Sequence, residues 1–302
     1  MRDVNENMSL EHIDGKISIV MPAFNESKYI TANLREVIET FDRFNCDYEV
    51  ILVDDGSHDR THALAMRVAL EYPDHIRIVR YDLNQGKGNA LIAGFVHSFG
   101  DYIVFLDADM DLHPSQVPAF FDVMLAEDAD AVIGSKRHPQ SRVNYPWLRQ
   151  IYSACYYVMV NLLFGLPLRD TQTGLKLFRR TLLDDVLPRV LAKQFAFDIE
   201  VLAIAHRLGF RIVDAPVRLE YQRAYGRINK RQVLKIGLDT LAIFYRLRIL
   251  RYYDKKHWQF VTSEEIHGRE ITTFQSEAII AVRSPNRLPR AGDKRGSMPR
   301  PR

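Results

Sequence analysis

Two hydrophobic patterns alternate along the first 135 residues of the chain. Apolar runs rich in β-branched residues end in small, polar and acidic residues, as buried parallel strands do, and they lie at 17–27, 48–59, 76–81, 101–109 and 130–135. Between them, apolar residues recur at helical spacing, which predicts helices near 29–44, 60–71, 86–98 and 115–126. Repeated strand and helix units predict an α/β fold, with a Rossmann-like, mostly parallel sheet, helices on both faces and a ligand at the carboxyl ends of the strands.

The pattern changes after residue 136. An aromatic and basic region, a turn-rich segment, an apolar helix, a strand returning to the sheet and a basic amphipathic helix follow, at 144–168, 169–180, 198–208, 210–221 and Lys230–Tyr253. We therefore divide the chain into a polar segment, an α/β domain, a C-terminal amphipathic helix and a basic tail, at 1–15, 16–228, 229–254 and 255–302. The proline-rich, basic composition of the tail predicts that most of it is disordered.

The composition is that of a globular protein, since 47% of the 302 residues are hydrophobic. The formal net charge of +3 is too small to favour nucleic acid as a partner. Cys46 and Cys155 lie far apart without metal-ligand spacing, which argues against a disulfide framework or a zinc site and fits a reducing cytoplasm. We expect neither a signal peptide nor a transmembrane helix, because the most apolar stretch, Tyr152–Leu168, is shorter than the roughly 20 residues that span a bilayer.

Three carboxylates stand at alternate positions where the fourth predicted strand ends. Asp107 and Asp109 share one face of an extended chain and could converge on one point, while Asp111 lies beyond them in the loop. Clustered carboxylates at a partly desolvated strand end are costly unless a cation neutralises them. Mg²⁺ or Mn²⁺ suits such oxygen ligands and usually adds substrate phosphate oxygens. The pattern predicts a metal that holds a diphosphate, and a solvated acidic turn is the alternative.

Two further motifs follow the second and third predicted strands. Asp54 ends the second strand and could accept hydrogen bonds from a nucleobase or ribose, whereas an Asx turn with an N-cap over 55–59 is the alternative. The segment NQGKGNA (84–90) lacks the full spacing of a phosphate-binding loop. It would still allow a close backbone approach to a nucleotide, with Lys87 countering phosphate charge.

The motifs VMPAFNE, VDDGSHDRT, LNQGKGNA and DADMD, in this order, resemble the nucleotide-sugar domain of glycosyltransferase family 2, whose fold is called GT-A. RDTQTGLKLFRR and FAFDIEVL further resemble the branch that glycosylates polyprenyl phosphates, such as the dolichyl-phosphate glucosyl- and mannosyltransferases. The resemblance covers about residues 16–250 and therefore implies a GT-A fold for most of the chain.

The resemblance implies a donor site. It implies that Pro22, Ala23, Asn25 and Glu26 surround the nucleoside and that Asp54 contacts the base. It also implies that Asp107, Ala108 and Asp109 contact the ribose, the diphosphate and the metal, with Asp111 as a further metal ligand. The mannosyltransferases commonly have Gln where this chain has Asp111, so the identity of the donor does not carry over from them. The segment RAYGRINK (223–230) is similar to a basic loop that closes over the diphosphate, which adds Arg223 and Lys230 to the donor-site residues.

The resemblance also implies an acceptor site. The segments GSKR (134–137) and WLRQIYS (147–153) are similar to elements that bind the acceptor phosphate, which makes Arg137 and Arg149 the expected ligands. In many family members with hydroxyl acceptors, an acid near the position of Asp198 removes a proton. Because a phosphate acceptor is already anionic near neutral pH, we expect Asp198 to have a positioning role or none in catalysis, and a helix N-terminal charge is the alternative.

These features predict an inverting, metal-dependent transfer of a hexose from UDP-glucose or GDP-mannose to a polyprenyl phosphate. The protein would dock peripherally on the cytoplasmic face of a membrane through the aromatic stretch near 147–164 and the basic helix near 230–253. Three alternatives remain at this stage. They are a family 2 enzyme with a hydroxyl acceptor and Asp198 as base, an aspartate-nucleophile phosphatase, and a non-catalytic scaffold that binds nucleotide sugar.

Overall fold

A computed structural model describes residues 10–142, 147–192, 194, 196–219 and 230–254. Within these residues, seven strands form one sheet, and they are β1 (Ile17–Ala23), β2 (Tyr48–Asp55), β3 (Ile76–Tyr81), β4 (Tyr102–Phe105), β5 (Ala131–Ser135), β6 (Lys176–Arg179) and β7 (Ile212–Pro216). The strand order is β3-β2-β1-β4-β6-β5-β7. β6 is antiparallel to both of its neighbours, and the other pairings are parallel.

Helices cover both faces of this sheet, as the sequence predicts. They are α1 (Ile30–Asp42), α2 (Thr61–Glu71), α3 (Lys87–Val96), α4 (Val117–Ala126), α5 (Trp147–Phe164), α6 (Arg180–Val186), α7 (Phe197–Leu208) and α8 (Lys230–Phe244). One hydrophobic core joins the sheet to α1, α2 and α4, and a second joins it to α3 and the helices from α5 onward. The predicted mostly parallel α/β architecture is confirmed.

Two predicted boundaries were wrong, and one strand was not predicted. The fourth strand ends at Phe105 rather than at residue 109, because the chain turns where Met110 adopts a φ of 58° and its amide donates to the Asp107 carbonyl over 3.1 Å. The turn-rich segment at 169–180 contains β6, whose Leu177 and Phe178 are buried in the two cores. The α-helix predicted to run to Tyr253 ends at Phe244, and a π-helical turn, Tyr245–Ile249, follows it.

The antiparallel strand β6 determines which side chains meet at the carboxyl edge of the sheet. Because it enters the sheet at that edge, its first residue, Lys176, pairs with Phe105 at the end of β4 and with Ile133 in β5. Among the described residues no helix has both the length and the apolar character required to cross a bilayer. The 1–9 segment and the tail from 255 lie outside those residues, so the division into four segments stays a prediction.

Candidate functional site

Lys87 and Asp107 form an ion pair at the carboxyl edge of the sheet. Lys87 is the first residue of α3, and its Nζ lies 2.5 Å from Oδ1 of Asp107 in the loop after β4. Both side chains are about one-third exposed, at 37% and 35%. Burial by itself lowers the pKa of an ammonium, but Asp107 and Asp198 outweigh it and raise the pKa of Lys87 above its ordinary value. The site therefore holds a permanent cation beside an open edge of the sheet.

Asp107 stays ionised because cations surround it. Burial acts to raise the pKa of its carboxyl, but the ammonium of Lys87, followed by those of Lys176 and Lys136, holds that pKa below its ordinary value. Gly174 lies directly against this carboxylate, and a Cβ at that position would overlap Oδ2 of Asp107. The absence of a side chain at Gly174 thus lets the segment before β6 approach the acidic loop.

Asp198 and Lys176 form a second, buried ion pair behind the first. Lys176 Nζ lies 2.9 Å from Asp198 Oδ1, and the two side chains are only 2% and 10% exposed. Lys176 also donates to the carbonyl of Thr173, whose hydroxyl donates to the carbonyl of Gly134. Asp198 is therefore a buried, charge-paired group at the start of α7 and not an exposed acid.

The glycine-containing loop before α3 is fastened to the end of β2. Both oxygens of Asp55 accept backbone hydrogen bonds, from the amide of Gln85 over 2.7 Å and from that of Gly86 over 2.9 Å. Burial raises the pKa of the Asp55 carboxyl above its ordinary value, against the effect of these two bonds. The segment 84–90 was predicted to bring its backbone close to a nucleotide. Two of its amides, those of Gln85 and Gly86, are instead hydrogen-bonded within the protein.

Asp54, the residue predicted to contact the base, is fully buried at the end of β2. Its Oδ1 accepts the amide hydrogen of Ser57 over 3.1 Å, and its Oδ2 lies 3.5 Å from Nε of Arg80 and 3.8 Å from Nδ1 of His62. No hydrogen-bond partner of this Oδ2 or of His62 Nδ1 is found within the described part of the chain. Burial and the neighbouring Arg80 lower the pKa of His62, so the imidazole is mostly neutral at neutral pH.

The loops after β1 and β2 are joined by the residues predicted to surround the nucleoside. Asn25 adopts a φ of 57°, its amide donates to Ser57 Oγ, and its side-chain oxygen accepts from the amide of His58, each over 2.9 Å. The amide of Glu26 donates to Thr61 Oγ1 over 2.7 Å. Pro22 and Ala23 are the last two residues of β1. The structure thus brings all four residues to the same edge of the sheet as Asp54.

A side chain of α1 forms a hydrogen bond with the backbone of the acidic loop after β4. The side-chain amide of Asn33 donates to the carbonyl of Ala108 over 2.7 Å, and Asp109 Oδ1 accepts from the amide of Asp111 over 3.2 Å. Within the described ranges, no three His, Cys, Asp or Glu side chains are grouped in a way that could hold a metal ion. Ligation by Asp107, Asp109 and Asp111 together therefore stays a prediction. A site here would use one or two carboxylates with substrate oxygens, as Mg²⁺ commonly does.

Arg137 lies at a cavity of about 250 Å³ beside this edge. Its guanidinium stacks over the ring of Tyr157, 4.6 Å from the centroid. The cavity is enclosed by α5, the segment before β6 and α8, through Arg137, Tyr156, Tyr157, Val160, Asn161, Leu166, Leu168, Arg169, Asp170, Thr171, Gln172 and Ile236. Burial raises the pKa of Tyr156 to about 12. The cavity thus combines cationic and apolar walls.

The side chains of three predicted site residues lie outside the described part of the structure, and the functional roles of the others stay predictions. Arg223 lies outside the described residues, and Arg149 and Lys230 are described only as backbone within α5 and α8. Sequence reasoning also missed Gly174, Lys176 and Tyr157 as neighbours of the site. The signal for the first two was the motif that resembles the polyprenyl-phosphate branch, which contains both of them.

The family profile described as "Glycosyl transferase family 2" matches residues 18–187, which is more than half of the chain. The chain therefore belongs to glycosyl transferase family 2 and is a glycosyltransferase. This membership rejects the phosphatase alternative.

Several curated relatives are dolichyl-phosphate enzymes. Dolichyl-phosphate beta-glucosyltransferase ALG5A of Trichomonas vaginalis is 30% identical over 252 residues, covering 80% of this chain and 77% of the relative. Dolichyl-phosphate beta-glucosyltransferase of Saccharomyces cerevisiae is 28% identical over 234 residues, covering 71% and 69%. Glycosyltransferase AglD of Haloferax volcanii is 31% identical over 236 residues, which are 78% of this chain but 38% of AglD. The resemblance to the polyprenyl-phosphate branch is confirmed.

Solved structures with the same fold include glucosyl-3-phosphoglycerate synthase from Mycobacterium tuberculosis. Its complex with Mn²⁺, UDP and phosphoglyceric acid has a TM-score of 0.59 at 22% identity, covering 82% of this chain and 84% of that chain. Its complex with Mg²⁺ and UDP has a TM-score of 0.58 at 22% identity, covering 83% and 85%. At this identity the likeness concerns the fold, and the predicted GT-A fold is confirmed.

Proposed function

We propose that this protein transfers a hexose, with inversion, from a nucleotide sugar to a polyprenyl phosphate. UDP-glucose is the preferred donor in this proposal, because two of the relatives above are named dolichyl-phosphate beta-glucosyltransferases. The observation that most supports this proposal is the buried ion pair of Asp198 and Lys176. A hydroxyl acceptor needs a base that removes its proton, and Asp198, the base in the hydroxyl-acceptor alternative, is paired with a cation and almost inaccessible. A phosphate oxygen attacks without such a base.

The donor diphosphate would lie between the ends of β1, β2 and β4. Lys87 faces this region with an ammonium that stays charged, so it can stabilise the negative charge that develops on the departing nucleoside diphosphate. Asp107 holds Lys87 in place, and its partly exposed carboxylate remains available to the sugar or ribose hydroxyls. Asp54 Oδ2 has no hydrogen-bond partner among the described residues, and it would accept from the base once the loops that bury it move aside.

The residues after β4 fit a divalent cation by their chemistry. Asp107 and Asp109 are partly exposed carboxylates, and hard cations prefer oxygen ligands. Mg²⁺ or Mn²⁺ bound there, with Asp111 as a further ligand, would supply charge stabilisation to the leaving diphosphate. Lys87 would then neutralise the side of the diphosphate that faces α3.

The acceptor phosphate would bind on the other side of Asp107. Arg137 and Lys136 follow β5 at the same edge, and Arg137 lies at the mouth of the cavity beside α5. A guanidinium donates through N–H groups in its own plane, so Arg137 could bind phosphate oxygens while its face lies over the Tyr157 ring. Arg149 of α5 would supply the second guanidinium. The apolar walls of the cavity suit the first isoprene units of a lipid.

The lipid acceptor requires contact with a membrane, and α5 and α8 offer a surface for it. Both helices and the π-helical turn after α8 expose large apolar side chains, namely Val158, Leu162, Leu238, Leu241, Tyr245 and Ile249. Lys235, Arg248 and Arg251 lie in the same C-terminal region. An apolar surface with cations around it suits the interface of an anionic leaflet, here the cytoplasmic one.

Replacing Leu162 by Glu should weaken binding to vesicles of phosphatidylcholine and phosphatidylserine. Leu162 is 81% exposed, and burying a leucine side chain is worth about 1.5–3 kcal/mol, so the dissociation constant should rise about tenfold or more. The measurement is co-sedimentation with vesicles. The matched control is Leu70→Glu, because Leu70 is 76% exposed on α2, on the opposite face of the sheet. Equal binding by both variants would contradict docking through α5.

The reaction itself is tested with purified protein. UDP-glucose and GDP-mannose are each offered with undecaprenyl phosphate, dolichyl phosphate or dolichol, and lipid-linked sugar is counted. We expect product with UDP-glucose and a lipid phosphate, none with dolichol, loss of turnover in EDTA and recovery with Mg²⁺ or Mn²⁺. Transfer to dolichol would favour a hydroxyl acceptor, and nucleotide binding without turnover in any arm would favour the non-catalytic scaffold.

A further inference from the structure

The carboxylate of Asp55 acts on a single short segment. The residue is 3% exposed, and its two carboxylate oxygens accept from the adjacent amides of Gln85 and Gly86. The Asx turn predicted as the alternative for this region is formed by neighbours of Asp55, and the predicted N-cap is not formed, because the N-cap residue of α2 is Arg60, which makes no side-chain capping bond. Asp54 accepts from the amide of Ser57, and Asp59 accepts from that of Thr61 over 2.9 Å. Asp55 is therefore free of a local turn and holds a loop 30 residues further along the chain.

The loop that Asp55 holds has little freedom to move elsewhere. Gly86 adopts a φ of 96° with a ψ of 152°, which residues with a side chain rarely tolerate. Gly56 lies so close to the loop that an added Cβ would be 2.6 Å from the amide nitrogen of Asn84. The backbone at the end of β2 thus packs directly against the backbone just before α3. The Asp55 carboxylate joins the two segments by hydrogen bonds.

The position of this loop determines where α3 starts and therefore where the backbone of Lys87 lies. Lys87 directly follows Gly86 as the first residue of α3, and its side chain reaches Asp107 after β4. β1 separates β2 from β4 in the sheet, so Lys87 reaches across the end of one strand to make this contact. A small displacement of the start of α3 would therefore move the ammonium away from Asp107. The packing of Gly88 on Phe197, where an added Cβ would lie 2.6–2.7 Å from the Phe197 side chain, limits movement on the other side.

We propose that Asp55 is a positioning residue for sugar transfer, which acts by fixing the start of α3 and so the ammonium of Lys87 beside Asp107. This inference rests on the proposed function for its kinetic test. Asp55 does not itself contact substrate in this role. An asparagine at this position has one acceptor oxygen and one amino group, so it keeps one of the two backbone hydrogen bonds and turns a donor towards the other amide.

A double-mutant cycle with Asp55→Asn and Lys87→Met tests this coupling. We expect Asp55→Asn to lower kcat/KM for the donor about tenfold, as loss of a charge-assisted hydrogen bond would. In the Lys87→Met background the same change should cost less than about twofold, because a displaced ammonium no longer matters there. Asp55→Ala, which loses both bonds, should be more impaired than Asp55→Asn. Equal fold-losses from Asp55→Asn in both backgrounds would overturn the proposal, since they would mean that Asp55 acts independently of Lys87.

Two measurements keep the result independent of the reaction. Hydrogen exchange of the Gln85 and Gly86 amides should become faster in Asp55→Asn, and Lys87 should become more reactive to acetic anhydride. The control is Asp130→Asn, because Asp130 accepts the amide hydrogen of Arg211 over 2.8 Å at the opposite end of the sheet. If the wild-type protein transfers no sugar, the proposed function fails and these two measurements alone decide on Asp55. Unchanged exchange and unchanged labelling would reject the positioning role.

Discussion

Replacing Lys87 by Met should lower kcat/KM for transfer by about 10²–10³-fold, which is the usual cost of removing one preorganised group that stabilises transition-state charge. The ammonium of Lys87 is 2.5 Å from Asp107, at the start of α3 and on that side of the proposed diphosphate site. Methionine keeps an unbranched apolar stem but not the charge. Since both partners are about one-third exposed, the free energy of unfolding should change little. Steady-state kinetics with donor and acceptor varied in turn provide the measurement.

Two variants control for the loss of a lysine as such. Lys87→Arg keeps the charge but changes its geometry, so its activity should lie between those of the wild type and Lys87→Met. Lys16→Met removes a lysine that is paired with Asp47 over 3.4 Å at the opposite end of the sheet, and it should leave kcat/KM unchanged. A Lys87→Met enzyme with kcat/KM within about threefold of the wild type would remove Lys87 from the donor site.

The fold was predictable where each element carries its own local signal. Strands β1, β2 and β5 each contain a buried apolar run because both faces of the sheet are covered, and α1 shows helical spacing over its buried residues. Parallel strands put their carboxyl ends at one edge, so Asp54, Lys87 and Asp107 could be expected there together. The structure does bring them to that edge.

The missed features depend on contacts that local patterns do not encode. β6 has four residues and follows polar residues, and it becomes a strand because β4 and β5 lie on either side of it. Lys176 is 2% exposed, although lysine is among the residues least often fully buried. Its burial is possible because Asp198 on α7 neutralises it. Only the folded chain shows that pair, and with it the reason that Asp198 is a poor base.

A similar limit applies to Glu200, which the sequence places two residues after Asp198. The structure gives the two acids entirely different partners. Glu200 is fully buried, accepts from the amides of Leu191 and Ala192, and pairs with Arg246 of the π-helical turn over 3.0 Å. Tyr253 also donates to Glu200. This carboxylate therefore joins α7 to the segment after α8, a structural role that spacing along the chain does not reveal.

Replacing Lys176 by Met should lower the free energy of unfolding by about 3–5 kcal/mol, because it leaves the carboxylate of Asp198 buried without its cation. The two side chains are 2% and 10% exposed, so water screens the remaining charge poorly. The measurement is equilibrium unfolding in urea. The double variant Lys176→Met with Asp198→Leu should recover most of the loss, because it replaces the pair by apolar side chains of similar volume. A Lys176→Met loss below about 1 kcal/mol would show that the pair is solvated, as exposed ion pairs are.

The same pair separates the two acceptor classes when activity is measured on folded protein. Asp198→Asn keeps an oxygen that can accept from Lys176 but abolishes any capacity to remove a proton. With a polyprenyl phosphate as acceptor, kcat should stay within a few-fold of the wild type below the unfolding transition, since the attacking oxygen is already anionic. With a hydroxyl acceptor, loss of a general base would lower kcat by about 10²–10⁴-fold. A fall of that size in the folded enzyme would make Asp198 a catalytic base despite its burial, and the phosphate acceptor would have to be abandoned.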